Sequence, residues 1–298
     1  MNKQSLLIVT LITLSCCRSL AWSDELPWEV KTPFMEATIH YELTGMEQGK
    51  ETLYIKDSGA RQAKHHDSTS TIMGTTKKTQ TIQITDPDWI YSYDLIEKKG
   101  GKATNPNKIY RTEYAKFNAE EKKNFAKNAK ELGASGVLSQ AGGSVKQKAG
   151  KVLGYDCDIA SVGGISTVYL LHGTGIPLKA EASVMGMNNN VTATSMDTST
   201  PIPDSAFAPP AGITVQLDQQ MESMMTEMIK NTMDTLKQPD GAKQMQQAGP
   251  MGMMGGVGMR KMMDKEMQAE GISQEEQQEM MRQMNEAMQQ MQKRQPKK

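Results

Sequence analysis

The chain has 298 residues, and its 34 lysine and arginine residues balance its 34 aspartate and glutamate residues. A chain without net charge lacks the positive field that draws proteins to nucleic acid or to anionic membrane surfaces, so we expect no nucleic-acid partner. The length suits one domain of ordinary size with an extension. Three segments of different composition follow one another along it.

The first 23 residues have the layout of a secretory signal peptide, with Lys3 ahead of a short apolar core. Small side chains before the scissile bond favour cleavage after Ala21 or Ser23. The apolar core is shorter than the roughly 20 residues of a transmembrane helix. We therefore expect a periplasmic or secreted mature protein. In the alternative interpretation, Cys16 is acylated and anchors the protein through its lipid.

Cleavage after Ala21 or Ser23 leaves Cys157 as the single thiol of the mature chain. Its surroundings alternate like a strand, and the carboxylates of Asp156 and Asp158 would raise its pKa rather than activate it. We predict a buried, unreactive cysteine.

Residues 24–217 are predicted to form a mainly β domain, because short runs rich in Thr, Val, Ile and Tyr alternate in polarity between turn signals. The expected architecture is a curved, partly closed antiparallel half-barrel with a covering helix. The predicted strands are Met35 to Leu43, Thr52 to Lys56, Ala60 to His66, Thr79 to Thr85, Trp89 to Asp94, Leu153 to Val162, Thr167 to Leu171, Leu178 to Val184 and Val191 to Ser199.

One helix is predicted inside this domain. Asn118 can cap it, Phe125 and Leu132 lie on its apolar stripe, and Gly133 ends it. The Gly- and Ser-rich stretch 133–150 is predicted to be a mobile loop.

Residues 218–298 are predicted to form a helical, partly flexible tail that carries 18 of the 25 methionines and no aromatic residue. Two groups of methionines have helical spacing with charges on the opposite face. The breaks between them are predicted at Pro239-Asp240-Gly241 and around 249–256, and Ser273 with Glu276 forms a capping box for the last helix. The two stripes are Met221, Met224, Met225 and Met228, and Met280, Met281, Met284, Met288 and Met291.

Four short motifs of the β domain occur in the order of a known family. They are Thr52-Leu53-Tyr54-Ile55-Lys56-Asp57 with Gly59-Ala60-Arg61, Asp88-Trp89-Ile90-Tyr91, Val152-Leu153-Gly154-Tyr155 with Cys157, and Gly175-Ile176-Pro177-Leu178-Lys179. Over roughly residues 35–215 the chain resembles an uncharacterised exported bacterial family, a domain of unknown function, similar in fold to the periplasmic outer-membrane lipoprotein carrier. The resemblance implies an incomplete antiparallel barrel with a helix over its open apolar face, which in the carriers accepts acyl chains, and it transfers no catalytic residue.

Trp89, Tyr91 and Tyr93 share one face of their predicted strand and are the candidate ligand-binding residues, with core packing as the alternative. The four histidines have no metal-site spacing and are interpreted as ordinary surface residues. No catalytic group, metal site or cofactor is predicted.

The predicted function is binding in the cell envelope, without catalysis. The half-barrel would hold a lipid-like or other apolar ligand, or a protein partner. In one alternative the methionines of the tail bind Cu(I) or Ag(I), because thioether sulfur is a soft ligand. In the other, the protein is a structural envelope component that self-associates through its C-terminal helices, where unbranched methionine side chains adapt to a partner helix.

Overall fold

The computed structural model of this protein describes residues 26, 29, 32–72, 75–140, 143–162, 165–184 and 187–253. This part of the chain forms a 12-stranded sheet and four α-helices. The strands are β1 Ala37–Gly45, β2 Glu47–Lys56, β3 Arg61–Ile72, β4 Thr75–Thr85, β5 Trp89–Asp94, β6 Lys99–Thr104, β7 Gly143–Val152, β8 Tyr155–Val162, β9 Ser166–Leu171, β10 Pro177–Val184, β11 Met187–Asp197 and β12 Val215–Leu217. The helices are α1 Pro106–Tyr114, α2 Ala119–Gln140, α3 Gln219–Leu236 and α4 Gly241–Met253.

The strands form one open sheet in the order β12-β6-β5-β4-β3-β2-β1-β11-β10-β9-β8-β7. Neighbouring strands are antiparallel except for β12, which pairs parallel to β6. The sheet is therefore mixed, where a purely antiparallel one was expected. The prediction of a mainly β fold is confirmed, and each of the nine predicted strands overlaps an observed one.

The predicted loop over 133–150 was wrong. Helix α2 continues to Gln140, and β7 begins at Gly143. Asn118 caps the helix as predicted: its Oδ1 accepts from the Glu121 N–H, and the Glu121 carboxylate accepts from the Asn118 N–H, both at 2.9 Å. The glycine at 133 does not end the helix.

Apolar side chains cover opposite faces of two halves of the sheet. On one face Ile39 pairs with Leu53, and this cluster extends over strands β1, β2 and β7 to β11 without any residue of a helix. On the other face Tyr54, Ala63 and Ile84 lie in cross-strand register. Each half of the sheet therefore buries a different face.

The helices form a separate apolar cluster. It contains Phe117, Phe125 and Leu132, together with Ile229 and Met233 of the methionine-rich segment. The helix expected to cover the sheet thus packs its buried residues against other helices. The change of composition at residue 217 is not a boundary in packing, because α3 and α4 complete this cluster.

Polar contacts fix both ends of α3. Asp218 Oδ1 accepts from the Met221 N–H at 3.0 Å, and Glu222 accepts from the Thr104 N–H at 2.9 Å, so the helix starts against β6. At the other end the buried Asn128 amide donates to the carbonyl oxygens of Leu236 and Gln238, at 2.8 and 2.6 Å. The tail begins as an integral part of the helical cluster.

The break predicted at Pro239-Asp240-Gly241 is confirmed, since α3 ends at Leu236 and α4 begins at Gly241. The break predicted to start at residue 249 was wrong as far as residue 253, because α4 continues to Met253.

Candidate functional site

The aromatic strand predicted to line a ligand groove is covered by the chain itself. Tyr93 is 3% exposed and Tyr91 is half-buried, and both belong to the cluster that includes Ile202 and Phe207. The segment 202–215, which we call the strap, lies on this face of the sheet. Of the two interpretations of these tyrosines, the structure supports core packing.

Polar contacts hold the strap in place. Lys56 Nζ lies 3.1 Å from Asp204 Oδ1, and the Ile202 N–H donates to the Glu36 carboxylate at 2.8 Å. The His65 ring contacts the Ala206 carbonyl oxygen at 2.9 Å. Because the strap is bound at several points along its length, it covers this face of the sheet in one fixed position.

Trp89 does not join the two tyrosines in this cluster. Its ring is half-buried, and the ammonium groups of Lys102 and Lys108 lie 4.4 and 5.4 Å from its centroid. Such cation–π contacts stabilise the local structure. The three predicted ligand residues are therefore divided between a core and a lysine-flanked surface ring.

The ends of β4 and β5 enclose a shallow depression of about 50 Å³. It is lined by Lys77, Lys78, Thr79, Asp94, Ile96 and Glu97. Pockets for small molecules usually measure roughly 300 Å³ or more, so this depression is too small for an acyl chain.

A polar network that the sequence analysis missed lies between β2 and β3. His66 Nδ1 is 3.0 Å from a Glu51 oxygen and its Nε2 is 3.0 Å from a Glu47 oxygen. Ser68 Oγ donates to the same Glu47 oxygen at 2.5 Å, and Lys64 lies 3.7 Å from Glu51. The His66 side chain is 14% exposed, so its interpretation as a surface histidine was wrong.

The charges in this network stabilise one another. Burial alone would lower the pKa of His66, but the hydrogen bonds to Glu47 and Glu51 raise it to about 9. The hydrogen bond to His66 lowers the pKa of Glu47 to about 2. Burial would raise the pKa of Glu51, and the contacts with His66 and Lys64 reverse this and lower it. At neutral pH the imidazolium is therefore held between two carboxylates.

Ser68, His66 and Glu51 have the spacing of a hydrolase triad, with Ser68 Oγ 2.9 Å from His66 Nε2. A general base must be neutral to accept a proton, and His66 keeps its own proton up to about pH 9. Ser68 is only 2% exposed and already donates to Glu47. The arrangement is suited to joining strands and unsuited to activating a nucleophile.

Two further residues from the sequence-based predictions are Cys157, on β8, and His172, directly after β9. Cys157 is 0% exposed, as predicted, and burial raises the pKa of its thiol. His172 Nδ1 lies 2.6 Å from Asp158 Oδ1, and the side chains are 14% and 4% exposed. His172 is thus a second histidine wrongly expected at the surface. The alternation of polar and apolar residues predicted strand β8. Nothing in the sequence indicated which carboxylate would lie against the His172 ring.

The first methionine stripe divides into two parts on α3. Met225 packs on the helical cluster, in line with the buried Ile229 and Met233. Met221, Met224 and Met228 are half-buried and lie on the neighbouring side of the helix. We call these three residues the outer stripe.

The second stripe, Met280, Met281, Met284, Met288 and Met291, lies outside the described residues, as do the predicted capping box at Ser273 and the signal segment with Cys16. Among the residues that are described, no three His, Cys, Asp or Glu side chains are arranged to hold a metal ion. No helix in that part of the chain has the length and apolar character needed to cross a membrane.

Comparison with known proteins gives no family. No family model and no curated protein matches the chain. An uncharacterised conserved protein from Thermus thermophilus is similar at a TM-score of 0.36 and 7% identity, over 62% of this chain and 91% of that one. Two crystal forms of PNGF-II give TM-scores of 0.34 and 0.31 at 13% identity, over 65% and 64% of this chain and 34% and 32% of theirs. Similarities this weak carry no argument about fold or function.

Proposed function

We propose that this protein is a non-catalytic binding module of the bacterial cell envelope that associates with a second copy of itself through methionine-lined helices. The observation that carries the proposal is the division of methionines on α3. The helical cluster uses Met225, Ile229 and Met233, whereas the outer stripe of Met221, Met224 and Met228 is half-buried beside it and belongs to no buried cluster of the described residues.

The proposed occupant of the outer stripe is the segment 280–291 of the second copy. Its methionines recur at helical spacing, and the chain runs on from residue 254 to 298 beyond α4. Methionine side chains are flexible and polarizable, so two such stripes can adapt to each other. An amphipathic helix laid against an apolar surface is a common mode of protein recognition.

The envelope location rests on the signal-like first 23 residues. We also propose that the sheet is a curved half-barrel like that of the lipoprotein carriers. Ile39 and Leu178 are 0% exposed although no helix residue belongs to their cluster, which favours a sheet that curls over its own side chains. Such an interior is already filled, and this is why we place binding on the helices and not in the half-barrel.

The test uses the full-length mature chain with the outer stripe replaced as a set. Met→Leu at 221, 224 and 228 keeps an apolar face, whereas Met→Gln at the same positions removes it. Sedimentation velocity over a hundredfold range of concentration should show self-association in the wild type and the Leu set, and its loss in the Gln set. The matched control is Lys230→Gln on the exposed side of α3, which should associate normally.

Three outcomes would overturn the proposal. The first is a wild-type protein that stays monomeric over the whole concentration range, because the proposal requires self-association. Stoichiometric Cu(I) binding that the Leu set abolishes would assign the stripe to metal. A co-purifying lipid seen in native mass spectrometry, unaffected by either set, would return binding to the half-barrel.

A further inference from the structure

In the described part of the chain, one end of the sheet is formed by β7, which pairs with β8 on one side and with no strand on the other. An open edge of ten residues offers unpaired backbone groups to a strand of another molecule, and proteins that remain soluble block such edges. The β7 sequence carries lysines at 146, 148 and 151, all exposed. Charge on an edge is one recognised form of protection.

A second form of protection is a bulge in the middle of β7. Lys146 pairs with Ile159 and Gly150 pairs with Cys157, so three residues of β7 lie opposite the single residue Asp158. Lys148, at the centre, has φ +49°. That conformation is unfavourable for a lysine and needs a compensating contact. The bulge divides the edge into two short runs, 143–146 and 150–152.

Asp158 supplies the compensating contact. The Lys148 N–H donates to Asp158 Oδ1 at 2.9 Å, and the Nδ1–H of His172 donates to the same oxygen at 2.6 Å. Asp158 is 3% exposed, so its carboxylate depends on these donors in place of water. The bulge is held from inside the sheet.

We propose that Asp158 protects the edge strand β7. By accepting a hydrogen bond from the Lys148 N–H, it keeps β7 bulged and prevents strand-to-strand pairing with a second molecule. The tail-mediated association proposed above would use a different surface. Asp158 would therefore block association through the β7 edge, while the methionine-lined helices remain available for association.

Hydrogen exchange of the β7 amides tests this, because edge pairing protects them and helix association does not. In Asp158→Ala we expect the Lys148 amide to lose protection, and the β7 amides that do not bond to β8 to gain it at least tenfold as concentration rises. Asp158→Asn keeps an acceptor oxygen and should behave like the wild type. Asp156→Ala removes an exposed carboxylate of the same strand and is the control for charge.

A second pair of variants keeps the idea testable if Asp158→Ala fails to fold. Lys148→Val places a β-branched residue where φ is positive and should open the bulge, whereas Lys148→Gly removes the same charge and accepts the conformation. If protection from exchange rises with concentration in the valine variant alone, the result supports the proposal that the bulge protects the edge strand. The proposal would be overturned if the valine and glycine variants behaved alike. It would also be overturned if the β7 amides that do not bond to β8 stayed unprotected after the Lys148 amide is released.

Discussion

Replacing His66 by glutamine removes the cation that lies between Glu47 and Glu51. The pKa of His66 rises from about 6.5 to about 9 in the folded protein. Because each pKa unit is worth about 1.4 kcal/mol, the imidazolium contributes on the order of 3 kcal/mol to the free energy of unfolding. A raised pKa means that this contribution is complete below about pH 6.5 and is lost as the pH rises through 9.

The assay is urea unfolding of the wild type and His66→Gln at pH 6 and pH 10. The variant should be less stable by about 3 kcal/mol at pH 6, and the difference should shrink by most of that amount at pH 10, where the wild-type imidazole is neutral. The comparison between the two chains cancels the titration of groups outside this network, whereas Glu47 and Glu51 titrate together with His66. A difference that is the same at both pH values would show that His66 contributes through packing and not through its charge.

The remaining predictions concern packing. Phe207→Ala should remove the anchor of the strap and lower the free energy of unfolding by about 3 kcal/mol in urea titration, and a loss below about 1 kcal/mol would contradict a fixed cover. The Cys157 thiol should react with a thiol reagent only at the rate of global unfolding, because it is 0% exposed, and rapid labelling of the native protein would refute its burial. Gly49→Ala should cost about 1–3 kcal/mol because its Cβ would overlap the Asp67 carbonyl oxygen, whereas Gly101→Ala, whose nearest neighbour is 3.9 Å away, is the matched control and should be neutral in thermal unfolding.

Strands in which apolar and polar residues alternate strongly could be predicted from the sequence, because this alternation arises when one face of the strand is buried. The strand predicted from Trp89 to Asp94 agrees with β5 at both ends, and Asn118 caps its helix as expected. Helix α1 was missed although Asn105 and Pro106 form a recognisable start, with the Asn105 side chain accepting from the Asn107 N–H. In that case the signal was present in the sequence.

Strand β7 could not be predicted in the same way. Its lysines and glycines give no alternation, because an edge strand faces solvent along most of its length, and its bulge shifts the register in the middle. The network around His66 depends on which residues of β2 lie opposite β3, and this register is a tertiary property. The packing of α3 was obscured by composition, since methionine fills a core as well as it covers a surface.

The pairing of β1 with β11 also determines the order in which the molecule can fold. Strands β1 to β6 follow one another through adjacent pairings, and so do β7 to β11, so each half can form from local contacts. The backbone pairing that joins the two halves is that of β1 with β11, which runs from Thr38 opposite Asp197 to Gly45 opposite Asn189. Contacts so distant in sequence form late, because the intervening chain must first be closed into a loop. During synthesis from the amino terminus, the free side of β1 stays unpaired until almost the whole sheet has been made, and in that interval the nascent chain is most exposed to aggregation.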